Sequence, residues 1–447
     1  MSKLDIVTAY VAARWRAATL HGPRLTEWQQ RRAITLVDSV RRASPFYREL
    51  WAGLPDDAWR AFPTVDKLAM MASFDRFTTT GITREMAMSV ALDAEQRRDF
   101  SASIEGHTVG LSSGTSGHRG LFLVSPQEQT RWAGTILARA IPDLRPRHRV
   151  AFFLRANSRL YERTASAVQF RFFDLMEPLA AVIAALNAFQ PRLIVGPPSL
   201  LGQLADAVAQ GTLRVRPTRL VSVAEVLEPH DRARIEAAFQ AAVGEVYQCT
   251  EGLVAVTCST GSLHVQEDVL VLQTEPLVTA DGSRVTPVLT DLWRHTQPII
   301  RYRLGDVLRL EPRGCACGST WRRIGAIEGR QDDLCWFAQS SGALRVVFPD
   351  ALRRMVLLAT DGIVEYRIEQ HALSALHLQI DVEAGQDFAA VARQLRATIA
   401  SGLLHYDCED VAVTIEQGVP PRQPGVKRRR VVCTWRRMEP VPMAGGQ

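Results

Sequence analysis

Three groups of residues have types and spacings suited to chemistry. The first is Gly110-Leu-Ser-Ser-Gly-Thr-Ser-Gly-His-Arg-Gly120, in which glycines alternate with small hydroxyl residues. Glycine admits positive φ, so successive backbone N–H groups can face one concavity, and the hydroxyls of Ser112, Ser113, Thr115 and Ser116 add donors suited to phosphate oxygens. It is not a Walker loop, because Gly117 is followed by His118-Arg119 rather than by Lys and a hydroxyl residue. Alone, such a stretch is more often a plain flexible linker. The second group is Cys258, His264 and Cys315-Ala-Cys317-Gly. Two thiolates one residue apart, with one more cysteine and one histidine, complete the four ligands of a tetrahedral zinc, and a closed set of four protein ligands makes such a site structural. The competing reading is ordinary buried cysteines beside a surface histidine.

The third group is electrostatic. The chain has 53 Lys/Arg against 47 Asp/Glu, a formal +6, and seven of the cations fall between Arg422 and Arg437 with no acid among them. The rest of the chain is therefore near neutrality, which argues for one local basic site and against a general nucleic-acid-binding surface. The basic run also lacks aromatic interleaving beyond Trp435.

These residues need elements to position them. Residues 1 to about 105 read as helices, with apolar spacings of three and four through Trp28–Val40. Strand-like runs follow at 149–155, 191–198, 219–226 and 245–249, separated by helical stretches at Glu177–Phe189, Ser199–Gln210 and Pro229–Val243. Strand alternating with helix implies an α/β fold with parallel sheet covered by helices. Beyond Leu263 short strands and turns suggest a compact antiparallel or barrel-like subdomain. A boundary is expected near Gly329–Asp333, dividing the chain into residues 1–329 and a small α+β domain, 330–447. In the latter, YRIEQ, LHLQIDVE and DVAVTIEQ alternate as strands and Asp387–Leu403 has helical periodicity. The last ten residues read as a frayed tail. Seven cysteines without a dense framework, and no apolar run of membrane-spanning length, point to a cytoplasmic, unprocessed chain.

SSGTSG at 112–117, VAE at 223–225, YQCTEG at 247–252, IIRYRLGD at 299–306 and RRIGAIEGRQDD at 322–333 occur in the order and approximate spacing of the acyl-adenylate-forming ligases. The chain most resembles the branch with phenylacetate–CoA ligase, coenzyme-adenylating synthetases and capsule-locus relatives, from about Ser44 to Lys427. The resemblance implies a large adenylation domain and a small mobile C-terminal domain. It implies that Ser112, Ser113, Gly114, Thr115, Ser116 and Gly117 close over the β- and γ-phosphates of ATP, and that Ala224, Glu225 and Tyr247 border the adenine. Thr250 would lie by the α-phosphate and Glu251 would help hold Mg²⁺. Asp306 would accept from the ribose hydroxyls, with Ile324 and Arg330 flanking the nucleoside. Lys427, in Gly425-Val-Lys427-Arg-Arg-Arg-Val431, matches the lysine that the family's mobile domain carries to the adenylation site. The alternative is a solvated basic strand. Similar relatives also carry the Cys, His and CxCG residues, apparently for zinc.

Two departures bear on the phosphate contacts: Arg119-Gly120 replaces a Pro-Lys or Pro-Thr pair, and Val426 replaces the glycine before the lysine. Phe152–Tyr161 follows a strand and is a weak candidate for the acid pocket, with Arg155, Asn157 or Arg159 as polar contacts; core aromatics beside a solvated loop is the favoured reading. The expected activity is ATP-dependent activation of an aryl or medium acyl carboxylate as its adenylate, with transfer to CoA, an acyl-carrier protein or another acceptor. The basic 422–437 stretch is a candidate contact for CoA phosphates or a carrier helix, or only a setting for Lys427. A homodimer is among the expected assemblies; nucleic acid and membrane are not expected partners. The alternatives are adenylyl transfer to a cofactor or phenolic hydroxyl without a thioester, and a degenerate nucleotide-binding protein.

Overall fold

The apolar spacing in the N-terminal region forms helices that bury one face. Gly22–Ala43 buries Leu25, Ala33, Leu36, Val37 and Val40, and the following Pro45–Leu50 is capped by Ser44, whose hydroxyl accepts from the Tyr47 N–H. Tyr47, Trp51, Phe62 and Phe77 then stack, with ring centres 4.4 to 4.9 Å apart. The buried Tyr47 hydroxyl donates to the Pro298 carbonyl at 3.0 Å, which satisfies a polar tip inside an apolar core. The computed structural model describes residues 3–97, 102–112, 120–141, 148–154, 168–277, 283–312, 314–360, 362–421 and 428–435. It divides into two units. The larger holds the described residues to Leu304 and Leu308–Ile327, the smaller Gly305–Val307 and the described residues from Glu328 onward.

The strands number β1 (Ser103–Ile104), β2 (His107–Leu111) and β3 (Leu121–Val124) in a small antiparallel sheet, then β4 (His148–Leu154), β5 (Val168–Asp174), β6 (Leu193–Gly196), β7 (Arg219–Val223) and β8 (Val243–Cys249). β4 to β8 are parallel neighbours in the order β8-β7-β6-β4-β5. Helices Leu179–Phe189, Pro198–Ala209 and Pro229–Phe239 supply the crossovers. Parallel pairing requires such long connections, as the sequence pattern implied.

The same sheet continues with β9 (Gly252–Thr257), β10 (Leu263–Val265), β11 (Leu270–Pro276), β12 (Arg284–Asp291), β13 (Tyr302–Arg303), β14 (Asp306–Glu311) and β15 (Arg323–Arg330). The short strands expected beyond Leu263 are antiparallel. This is the antiparallel pattern expected there, and the strands continue from the parallel half through β8 and β9 in one hydrogen-bonded sheet of twelve strands. The reason is local: only Thr250 and Glu251 separate β8 from β9, so the chain must turn back antiparallel.

In the smaller unit β16 (Cys335–Ala338) and β17 (Leu344–Val347) form a hairpin, and β18 (Ile363–Ala372), β19 (Ala375–Val382), β20 (Ala412–Gln417) and β21 (Val431–Cys433) form a sheet in the order β20-β19-β18-β21. Helices Pro349–Ala359 and Phe388–Leu404 cover it, the second capped by Asp387, whose carboxylate accepts from the Ala389 N–H. No helix among the described residues is long and apolar enough to cross a membrane.

Candidate functional site

The Ser/Gly-rich loop joins β2 to β3, whose last pair is Leu111 opposite Leu121. Its base is closed twice: the Ser112 N–H donates to the Gly120 carbonyl at 2.7 Å, and the Gly120 N–H donates to Ser112 Oγ at 2.8 Å. Lys67 Nζ donates to the same hydroxyl at 3.3 Å. A Cβ at Gly120 would lie 2.9 Å from Lys67 Cε, so glycine there admits the lysine. Lys67 opens helix Lys67–Ala72, fixed by Asp66, whose carboxylate accepts from the Ala69 N–H. Sequence pattern assigned Lys67 no role; the Asp-Lys helix start was the only local signal. Ser113, Gly114, Thr115, Ser116 and Gly117 lie outside the described residues, as do Arg119, Arg155, Asn157, Arg159, Val426 and Lys427.

β7 and β8 are adjacent parallel strands, with Val223 opposite Val246. Ala224-Glu225 therefore lies just past the carboxyl end of one, and Thr250-Glu251 just past the carboxyl end of the other, the edge where open α/β sheets place ligands. Ala224 has φ of 70°, a left-handed conformation an alanine adopts only when its surroundings impose it. Glu225 accepts from the Ser199 N–H at 3.3 Å. Tyr247 is half-buried on β8 beside a bulge, paired with Ala255.

Thr250 and Glu251 are held from three directions. The Thr250 hydroxyl donates to Glu251 Oε2 at 2.9 Å, and the buried Tyr302 hydroxyl donates to Glu251 Oε1 at 3.2 Å. Burial and the neighbouring Glu251 carboxylate raise the Tyr302 hydroxyl well above its ordinary range, so it remains a proton donor. From below, Arg294 Nη1 donates to the Thr250 carbonyl at 3.0 Å, while its Nη2 donates to the Leu123 carbonyl on β3 at 3.4 Å. Arg294 thus links the β8–β9 turn to the strand that leaves the Ser/Gly-rich loop. Tyr302 lies within IIRYRLGD but has no role assigned by the resemblance, and Arg294 has no sequence signal, since its importance comes from carbonyls 44 and 171 residues away in the chain.

Glu128 supports this network. Its Oε1 accepts from the His295 and Thr296 N–H groups at 2.7 and 2.9 Å, and Oε2 from the Ser125 N–H in a capping box. Burial acts to raise its pKa, but the Arg294 charge and the hydrogen bonds outweigh burial and hold the carboxyl below its ordinary value. Fully buried Asp291 goes the other way: burial, against the attraction of Arg294, pushes it to about 6. Ile324 on β15 pairs with Leu263 on β10, and its side chain is buried in the central core.

In the smaller unit Asp306 is buried and bonds Arg330 at 3.2 Å. The Gln331 N–H reaches the Gly305 carbonyl at 2.9 Å, with Gly305 at φ 74°. These two bonds bring Asp306 and Arg330 together across 24 residues. The basic run is largely neutralised where it is described: Arg428 and Arg430 pair with Glu365, and Arg429 pairs with Asp333.

Cys258, His264, Cys315 and Cys317 come together in the larger unit, with their ligand atoms all within 4.8 Å of one another. Cys258 follows β9, His264 lies on β10, and the other two precede β15. His264 directs Nδ1 to the Trp321 carbonyl at 3.2 Å and Nε2 toward Cys317 Sγ at 3.5 Å. Donation from Nδ1 would leave the Nε2 lone pair facing the thiols, the tautomer a metal ligand requires. The Cys317 backbone N–H and hydroxyl donors pull Cys315 down to about 5, while burial pushes Cys317 up to about 11. Neighbouring thiolates resist joint ionisation, and a bound dication removes that conflict. Cys249 is half-buried, its thiol 3.6 Å from the Gly252 carbonyl, and Cys335, Cys408 and Cys433 are buried.

No family-level sequence profile matches the chain. A phenylacetate–coenzyme A ligase of Thermus thermophilus is 28% identical over 180 residues, 35% of this chain and 38% of that protein. The CapK protein of Staphylococcus aureus is 27% identical over 138 residues, 30% of each. The chain thus matches about a third of the length of these curated relatives. Among solved structures, 2-hydroxyisobutyryl-CoA ligase with an acyl-AMP in its postadenylation state superimposes with a TM-score of 0.70 at 19% identity, covering 94% of this chain and 91% of that one. An acyl acid amido synthetase superimposes at 0.58 with 11% identity, covering 89% and 86%.

Proposed function

The chain has the fold of the adenylate-forming ligase superfamily, and we propose that it activates a carboxylic acid with ATP, forming an acyl-adenylate and releasing pyrophosphate, then transfers the acyl group to CoA. The observation that carries this reading is the placement of Ala224-Glu225 and Thr250-Glu251 past the carboxyl ends of adjacent parallel strands. Similarity to ligases whose names specify CoA supports the acceptor. An aryl or medium acyl acid is the substrate class proposed.

In this reaction a carboxylate oxygen bonds the α-phosphorus as the bond to pyrophosphate breaks, so two anions must be brought together and the leaving charge stabilised. The residues divide that work. Ser112–Gly117 cradles the outer phosphates, with Lys67 at its base. Thr250 directs its hydroxyl to the α-phosphate, and Asp306 receives the ribose hydroxyls. Ala224, Glu225 and Tyr247 border the adenine. Glu251 is the Mg²⁺ ligand, oriented by Thr250 and Tyr302; Mg²⁺ supplies charge neutralisation on the phosphates. Lys427 brings a further cation to the reacting phosphate. Cys258, His264, Cys315 and Cys317 fit a structural Zn²⁺ that ties the β9–β10 turn to the segment before β15, with no open position for catalysis.

The test is carboxylate-dependent exchange of pyrophosphate into ATP over a panel of aryl and acyl acids, followed by a CoA-dependent thioester assay. Lys427→Ala and Asp306→Ala are expected to lower exchange about 100-fold or more, the scale of losing one transition-state contact. Absence of both exchange and ATP binding with every acid would sink the reading. For the metal, elemental analysis should return about one zinc per chain, absent in Cys315→Ser; a stable zinc-free wild type excludes the site.

A further inference from the structure

Three helices and the segment after β12 meet at the indole of Trp293. The guanidinium carbons of Arg32 and Arg131 lie 3.9 and 4.1 Å from its ring centre, and that of Arg16 lies 5.4 Å away. Arg16 is only 5% exposed. Burial and then the Arg16 charge depress Arg32; burial, then Arg32 and Arg16, depress Arg131 against the attraction of Glu128 and Asp291.

The nearby acids are already engaged. Asp268, fully buried, accepts from Arg16 Nε at 3.0 Å and from Arg139 Nη2 at 2.9 Å. Glu128 is bound by three backbone N–H groups, and Asp291 accepts from the Trp293 N–H at 2.9 Å. Arg32 Nη2 reaches the Leu292 carbonyl at 3.3 Å. That leaves Arg16 Nη2, Arg32 Nε and Trp293 Nε1 buried without a hydrogen-bond partner among the described residues. All three are donors.

Orphaned buried donors are rare, because each forfeits its bonds to water. Five guanidinium groups, those of Arg16, Arg32, Arg131, Arg139 and Arg294, share three carboxylates, Asp268, Glu128 and Asp291, so positive charge is in excess where these donors lie. The guanidinium forks enter from three helices, so they match oxygens disposed in three dimensions better than the two coplanar oxygens of a carboxylate. We propose that Arg16, Arg32 and Arg131 form a binding site for a phosphate-class oxyanion, separate from the residues proposed to hold ATP.

The experiment titrates the full-length protein with inorganic phosphate, with sodium chloride holding ionic strength constant, and follows the unfolding midpoint and binding calorimetry. Saturable stabilisation beyond chloride is expected, with affinity falling about tenfold or more in Arg32→Gln/Arg131→Gln, since each change removes a charge-assisted contact. Both positions are half-exposed, and the double variant should fold in chloride at least as stably as the wild type. Because the Ser/Gly-rich loop is also a candidate phosphate binder, Thr115→Ala/Ser116→Ala is titrated in parallel, and retained phosphate binding is expected there. AMP competing for phosphate in that loop variant supports the site with a nucleotide phosphate as the source, and absence of competition supports it with free phosphate. No saturable effect in the wild type, or an effect lost in the loop variant and kept in the arginine variant, overturns the proposal. Pyrophosphate exchange does not enter this readout, so failure of the ligase reading is seen separately.

Discussion

Arg428, Arg429 and Arg430 stand side by side in the sequence just before β21, whereas Arg16, Arg32 and Arg131 come from three separate helices to the indole of Trp293. The first cluster is where composition concentrates the chain's positive charge. It is also where folding pairs it, because Glu365 faces Arg428 and Arg430 and Asp333 faces Arg429. The second cluster has no sequence signature; Arg16 shares buried Asp268 with Arg139, and the Arg294 charge acts on both Glu128 and Asp291, the acids that also attract Arg131. Charge density along a chain therefore says little about local field; the field depends on which acids the fold brings alongside.

The contrast predicts opposite responses to neutralising one member. Glu365→Gln has the largest expected effect, because it strands Arg428 and Arg430 together; a loss of about 2–3 kcal/mol in denaturant unfolding is expected, below the full cost of breaking a buried pair since the site is partly exposed. A neutral or stabilising result would place the two clusters in the same class.

Glu128→Gln comes next, at about 2 kcal/mol near neutral pH from weakened charge-assisted bonds to backbone N–H groups. Its folded pKa lies below the unfolded value, so its contribution is complete above the ordinary carboxylate range and is lost as pH falls through the folded pKa. The gap between wild type and variant in pH-dependent unfolding should accordingly close under acid. A gap that widened on acidification would contradict the assigned direction.

Arg131→Gln is expected to change stability by about 0–1 kcal/mol in chloride, in the stabilising direction, because it relieves repulsion from Arg32 and Arg16. The smallest effect is that of Arg42→Ala, whose exposed pair with Asp38 one helical turn away is worth under about 0.5 kcal/mol. Together these measurements separate cations that need their partners from cations that crowd one another.

Legibility followed the range of the interaction. The alternation of strand and helix from 149 to 249 was readable because each element buries its own periodic face, and β4 and β6 to β8 lie where the apolar runs are. Cys258, His264, Cys315 and Cys317 were readable as a set because few residue types serve as soft ligands. The small unit's β16–β17 hairpin and β21 were not, since short strands owe their existence to a partner. β21 has only Ile368, Glu369 and Gln370 to pair with. Nor did any pattern assign roles to Lys67, Arg294 or Tyr302, whose contacts lie 45, 44 and 51 residues away.

By itself the sequence determined the chemistry available: a glycine and hydroxyl loop, a soft ligand set, a carboxylate beside a threonine at 250–251, and the periodicities that make an α/β sheet. Such properties reside in residue types and near neighbours, so they survive without coordinates. Only the tertiary structure decided which groups meet. It seated Lys67 under the loop, bound Arg294 to the Thr250 carbonyl, paired Arg428–Arg430 with Glu365 and Asp333, and gathered three distant arginines on Trp293. The physical reason is that hydrogen bonding and burial act over a few ångströms in space, whatever the separation along the chain.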